Sequence, residues 1–416
     1  MPAHSRITRP AIVALLAVTL AGCGAGAGTS AGGPPPAAER FDPPMKFETD
    51  GAEVEAMNTG VPAVWERYAF RLVNQRTGDS EYTSDLTATD LLTGDRLWSV
   101  TERRSVPNQA AVPVVASLGG RPLVLTAQST EIKGEGTAPV TMAVDLLAAD
   151  AVTGVTVWQA RLPLGKQGEG PWEEARLVGA DDDAIVIALG EGDAMYRAQL
   201  TMVVDPVTRQ VRWTERLQPD GYAGGRVFGL PTADVVPGNL QSWDVKEHRK
   251  LWEAQLDAPA GSSAIAAGPT LILSYTGVPS LDGSSLRLLD AATGEIHTRL
   301  ADGDRASGTA CRYDEVSVVV CQTYDDQNRP GLVAYDAPSR EQLWKLPENG
   351  RTGAVMAGLW HGALYGTTAN GPLVLDARTG EDRETAPGAA PDIVTPYGGL
   401  VKAAGGGSWL LHRATG

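Results

Sequence analysis

The chain is predicted to fold as an all-β, eight-bladed β-propeller of four-stranded antiparallel blades, and three observations predict it. First, one motif recurs: an Asp, a turn ending in Gly four residues on, and a Trp eight residues on. Second, successive copies lie 60, 55, 39, 46, 46, 40 and 36 residues apart, a mean of 46 between Asp90 and His412. A period of that size belongs to propellers and solenoids. Third, each interval holds further β-rich runs, such as those at 184–189, 270–274 and 316–320. Together they supply about four strands per repeat, the content of one blade.

The anchors are Asp90, Asp150, Asp205, Asp244, Asp290, Asp336 and Asp376. Each closes a β-rich run, and its carboxylate is placed to accept backbone N–H groups two or more residues on, as in an Asx turn. Gly94, Gly154, Gly294, Gly380 and Gly416 stand four residues after their anchors, where a positive φ is expected. Trp98, Trp158, Trp213, Trp252 and Trp344 occupy the Trp position in five of the seven complete copies; Thr298 and Glu384 replace it in the other two. A flat indole at one fixed strand position suits burial between neighbouring sheets. One blade cannot bury both its faces, so the copies are expected to stack into a single body.

Taken in chain order, residues 1–22 read as a lipoprotein signal peptide: Arg6 and Arg9, a short apolar run, then Leu20-Ala-Gly-Cys23. The apolar run is well short of the ~20 residues a transmembrane helix needs. Leu-Ala-Gly-Cys matches the bacterial lipobox, so Cys23 is the expected lipidation site, and acyl chains at about 0.8 kcal/mol per buried CH₂ would hold the protein on a membrane. Residues 23–43, rich in Gly, Ala, Ser and Pro around Pro34-Pro-Pro36, read as a disordered tether. The propeller is expected over 44–416. Its eighth copy, His412-Arg-Ala-Thr-Gly416, halts at the turn, and one mean repeat before Asp90 is residue 44. Residues 45–50 are therefore predicted to supply the missing outer strand and close the ring.

Charge and cysteine usage bound the function. Loss of Arg6 and Arg9 takes the net charge from −15 to −17, which disfavours nucleic acid and direct adhesion to anionic lipid. With Cys23 assigned to the lipobox, Cys311 and Cys321 are left as a disulfide candidate in an oxidising compartment. A hairpin turning at Asp314-Glu315 would not set these two directly opposite, and that register stays open at this level. No nucleophile elbow, P-loop or paired-His motif occurs. The acidic runs 181–183 and 325–326 lack the alternating ligands of a calcium loop and read as solvated turns. No catalytic, cofactor-binding or metal-binding residue is assigned.

The repeat Ala-x-Asp-x-x-Thr-Gly-x-x-x-Trp, as in Ala334-Tyr-Asp336 through Trp344, resembles those of pyrroloquinoline-quinone-type (PQQ-like) β-propellers, and the resemblance covers nearly the whole chain beyond the tether. It implies Trp-mediated docking of one blade on the next. A lipoprotein carrying eight such blades is also similar in plan to BamB-type lipoproteins of the outer-membrane assembly machinery. Quinoprotein dehydrogenases of this fold use a vicinal Cys-Cys disulfide and a calcium constellation, and neither maps onto this chain. The repeats mark a scaffold rather than a cofactor site.

The expected function is thus a non-catalytic scaffold, monomeric and lipid-anchored on the extracytoplasmic side of the cell membrane, binding an envelope protein partner without cofactor. The alternatives are a ligand sensor using the central channel and, behind it, a quinoprotein dehydrogenase. The two longest repeat intervals place inserted chain at 103–112, 130–139, 163–174 and 191–197, on one expected face. Lys133, Lys166 and Trp172 are the candidate interface there, since two of only seven lysines and an aromatic flanked by Gly have the composition of an interface anchor.

Overall fold

The computed structural model describes residues 39–54, 62–76, 82–104, 112–164, 172, 174–190, 200–232, 239–255, 263–268, 270–274, 287–299, 305–325, 327–403 and 408–416. The strands form eight four-stranded antiparallel sheets. In seven of them the four strands are consecutive in sequence, giving blades 1 to 7 at 63–104, 114–163, 174–215, 217–254, 263–299, 305–346 and 355–384. First strands of neighbouring blades contact one another, so they form the inner wall of a ring. The core lies between sheets: Phe70, Leu72 and Leu86 of blade 1 pack on Val124 and Leu147 of blade 2, and each later seam has its own apolar cluster.

Blade 8 takes Ile393–Thr395, Gly398–Lys402 and Trp409–Arg413 from the C-terminus and Ala52–Glu53 from the N-terminus. The chain ends thus seal the ring as predicted, with the regular strand a few residues later than 45–50. Ala52 pairs with Leu411 and Glu53 with Leu410. The stretch 45–48 runs along the same strand's extension: Phe47 bridges Ala414, and Glu48 N–H donates to the Arg413 carbonyl at 2.9 Å. The break falls beside Gly51, where a Cβ would lie 2.5 Å from His412 and 2.8 Å from Leu410. Only glycine lets the two segments cross that closely. The compact body begins at Glu39, ahead of residue 44, because Phe41 N–H donates to the Pro396 carbonyl at 2.8 Å.

The Asp anchors act as the sequence predicts. Asp150 Oδ1 accepts the N–H groups of Val152 and Thr153, Asp205 those of Val207 and Thr208, and Asp244 those of Lys246 and Glu247. Asp290 and Asp376 repeat the pattern. His412, in the anchor position of the last copy, instead places Nδ1 2.8 Å from the Glu48 carbonyl. The second carboxylate oxygen often meets an arginine, and two of these pairs tie blades together: Arg340 of blade 6 to Asp290 of blade 5, and Arg378 of blade 7 to Asp336 of blade 6.

These turns carry an acid-stability prediction. The Thr208 N–H, then the Arg212 guanidinium, hold the Asp205 carboxyl down to about 2 from its ordinary 3.8. Asp150 and Asp336 are lowered chiefly by the N–H groups of Thr153 and Ser339. Burial works against ionisation of Asp290, yet the Thr293 and Ala292 N–H groups and Arg340 still leave it lowered. Depressed carboxylates contribute stability that is complete above the unfolded-state value and is lost as pH falls through the folded one. The urea midpoint is therefore expected to hold steady above about pH 5 and to fall between about pH 4 and 2. Asp205→Asn should flatten that fall, and a midpoint insensitive to acid in the parent protein would refute the assignment.

Cys311 and Cys321 are disulfide-bonded and directly opposite, with Cα atoms 4.0 Å apart. The hairpin turns over 314–318 rather than at Asp314-Glu315. Asp314 Oδ1 gathers the N–H groups of Val316, Ser317 and Val318, and that loop brings Tyr313 opposite Val319 and so sets the cysteine register.

Candidate functional site

The repeat residues themselves are consumed by architecture. Each indole leans on the Asp turn of the following blade. Trp213 Nε1 donates to the Val245 carbonyl at 3.0 Å, Trp252 to Ala291 at 3.1 Å and Trp344 to Ala377 at 2.9 Å, each acceptor being the residue after that blade's anchor. The turn glycine lies flat against the ring: a Cβ on Gly154 would sit 2.5 Å from Trp98, on Gly294 2.5 Å from Trp252, and on Gly380 2.7 Å from Trp344. Where the turn residue is not Gly, its side chain covers the indole. Arg209 lies over Trp158 at 5.5 Å, and His248 stacks on Trp213 at 4.6 Å and 13°. In the seam where position 298 is Thr, Arg340 crosses from blade 6 to Asp290 and His297 of blade 5.

The candidate interface is only partly assembled. Strand order puts the loop after Arg121–Ile132 and the C-terminal ends of Arg96–Arg104 and Thr156–Pro163 on one face; most of 103–112, 163–174 and 191–197 lies outside the described residues. Lys133 is exposed there, and Lys166 lies outside the described residues. Trp172 corrects the sequence reading. It is 4 % exposed and belongs to the core between blades 2 and 3, with Leu164 and Leu200 in the same cluster. Trp172 is therefore a packing residue and not a surface anchor.

A second constellation lies at the channel mouth on the opposite face, where the inner hairpins turn. A cavity of about 450 Å³ opens between blades 6, 7, 8 and 1. Arg312, near the end of the first strand of blade 6 (Arg305–Tyr313), sends Nη1 past blade 7 to the Asp392 carbonyl at 2.7 Å, at the entrance to blade 8. Burial pushes its guanidinium pKa down, with nearby Asp392 opposing. His361, at the blade 7 hairpin, is held by Asp42 through Nδ1 and faces Glu315 at 3.6 Å through Nε2. Its ring stacks on Trp360 with centroids 3.9 Å apart. Arg40 spans Asp42 at 3.7 Å and Glu66 of blade 1 at 3.4 Å. These residues are scattered from 40 to 392, and no motif marks them. The one sequence hint is that the inner hairpins at Trp65-Glu66 and Trp360-His361 carry Trp and a polar residue where those at 119–120 and 224–225 carry Gly-Gly.

The Cys311–Cys321 bridge is buried within an apolar cluster with Leu288, Val319 and Val333, and among the described residues no three His, Cys, Asp or Glu side chains are grouped to hold a metal ion. Among those residues, too, no helix is long and apolar enough to cross a membrane.

No family model matches the chain, and no curated protein does. Solved structures similar in fold include a europium-containing methanol dehydrogenase (11 % identity, TM-score 0.41, covering 86 % of this chain and 83 % of that one). They also include the computationally designed Ika8 protein (12 %, 0.45, 90 % and 99 %). The β-propeller domain of the Trilobed protease from Pyrococcus furiosus is a third (12 %, 0.40, 78 % and 96 %). The class established by the sheets is an eight-bladed β-propeller.

Proposed function

We propose that the protein is a non-catalytic scaffold, anchored by a lipid on Cys23 to the extracytoplasmic side of the cell membrane, where its propeller binds an envelope protein partner. The observation that carries this reading is the uneven build of the blades. In blade 2, Arg121–Ile132 and Thr141–Asp150 run for 12 and 10 residues, and three strands of blade 1 run for nine each, whereas strands of blades 7 and 8 reach at most six. The extra length in blade 2 projects toward Lys133, on the face away from the channel-mouth cavity. Strand pairs extended beyond what the ring needs offer a rigid platform, and rigid elements present a binding surface more precisely than loops. The repeat Asp and Trp residues are taken up by turns and seams, which leaves the scaffold reading ahead of a catalytic one.

Affinity capture from native membranes with mass spectrometry tests this. The parent chain is expected to retain one envelope protein that Lys133→Glu with Lys166→Glu loses, at unchanged melting temperature. Cys23→Ala is expected to move the protein from the membrane to the soluble fraction. Capture that survives the double charge reversal would refute the assigned face, and a Cys23→Ala variant still sedimenting with membranes would refute the anchor.

A further inference from the structure

The channel-mouth cavity has features that the scaffold reading does not use. Arg312 carries five N–H donors in a planar fork. One nitrogen meets the Asp392 carbonyl, and among the described residues no carboxylate comes within ion-pair distance of the guanidinium. The Arg312 side chain is solvent-exposed with Asp392 as a nearby opposing charge, and the fork matches a ligand carboxylate taken bidentately. On the same cavity stand Glu66, Glu315 and His361. All three occupy left-handed backbone, with φ of 52°, 65° and 45°. The corresponding inner hairpins of blades 2, 4 and 5 place glycines at positive φ: Gly119 and Gly120, Gly224 and Gly225, and Gly268. A non-glycine residue is strained there; Arg209, His248, Asn328, Arg340 and Asn349 also take positive φ, but outside the inner hairpins. Three inner hairpins bear this strain, and all three open on one cavity.

We propose that this cavity binds a small zwitterion, a molecule of amino-acid to dipeptide size carrying one carboxylate and one primary ammonium. Arg312 receives the carboxylate. Glu315, two-thirds exposed and with His361 at 3.6 Å as its one ion-pair neighbour among the described residues, receives the ammonium; Glu66 is already tied to Arg40. Trp65, Trp360 and Leu359 line the apolar remainder. The acidic rim selects against polyanions through like-charge repulsion, and the inner arginine selects against simple amines. The volume of about 450 Å³ lies in the usual range for ligand pockets, roughly 300–1,000 Å³. This inference is independent of partner binding on the other face.

Calorimetric titration of the full propeller tests it with phenylalanine and glycyl-phenylalanine as probes. N-acetyl-glycyl-phenylalanine, which lacks the ammonium, and glycyl-phenylalaninamide, which lacks the carboxylate, are the controls. Saturable one-to-one binding of at least one free zwitterion is expected, weakened about tenfold or more by blocking either charge. Arg312→Gln should remove the preference for a free carboxylate, and Glu315→Gln the preference for a free amine. Should Arg312→Gln lower the melting temperature, Glu315→Gln still decides, because its side chain is mostly exposed. Absence of saturation up to ~10 mM, equal binding of the blocked peptides, or an unchanged amine preference in Glu315→Gln would overturn the proposal.

Discussion

Replacing Trp213 with alanine is expected to cost about 3–5 kcal/mol of stability, the usual range for a buried aromatic, and to lower the melting temperature by roughly 5–10 °C. The ring is 6 % exposed and packs in the seam between blades 3 and 4, in one cluster with Val186, Val203, Leu217, Val227 and Val245. Truncation would empty that space, strip the Val245 carbonyl of its 3.0 Å donor and leave His248 without its stacking partner. Binding to the captured partner should persist in whatever fraction stays folded. A Trp213→Ala protein of full stability that had lost a ligand would mean that the indole position is a binding feature.

The second expected result concerns the glycine beneath the ring. Gly294→Ala should destabilise by roughly 2–4 kcal/mol, from two sources. The residue stays at φ 74°, which costs an L-residue roughly 1–2 kcal/mol. Its new methyl group would also lie 2.5 Å from Cε3 of Trp252, forcing the indole away from the Ala291 carbonyl it donates to. The two sources separate in a double-mutant cycle. With Trp252→Ala already present the clash disappears, so Gly294→Ala should then cost only the backbone strain, and the coupling should reach about 1–2 kcal/mol. Additive losses would show that the glycine answers to φ alone. A urea titration of the four proteins reads this directly.

That cycle isolates what the sequence left unsaid about its own repeat. A Gly four residues after each anchor is legible as a turn requiring positive φ, and a periodic Trp is legible as a packing residue. Their dependence on each other is not, because Trp252 and Gly294 lie 42 residues apart and meet only when blade 5 docks on blade 4. The same reasoning explains Arg209 and His248, which look like lapses in the repeat and turn out to cover Trp158 and Trp213.

The interface residues divide along similar lines. The insertions near blades 1 to 3 were legible from interval lengths alone, and strand order places the ends of the strands that lead into those after blades 1 and 2 on one face. Whether an aromatic there points to solvent depends on where its neighbours end. Trp172 is drawn into the apolar seam beside Leu164 and Leu200, since burying an indole is worth more than displaying it when a seam lies within reach. The channel mouth was not legible at all. Asp42 and His361 are 319 residues apart, and their meeting needs the ring closed and the N-terminal segment laid across blades 7 and 8.

By itself the sequence determined the periodic parts of this protein: strand-ending Asp turns, indoles at one strand position, a blade content of four strands, and a last blade in need of the N-terminus. These are local, and local hydrogen bonding and apolar alternation repeat wherever the residues repeat. Only the tertiary structure decided the exact closing pairs at Ala52–Glu53, the facing register of Cys311 and Cys321, the burial of Trp172 and the gathering of Arg312, Glu315 and His361. Each depends on distances between segments far apart in the chain, set by how eight sheets pack around one axis, and no single repeat contains that information.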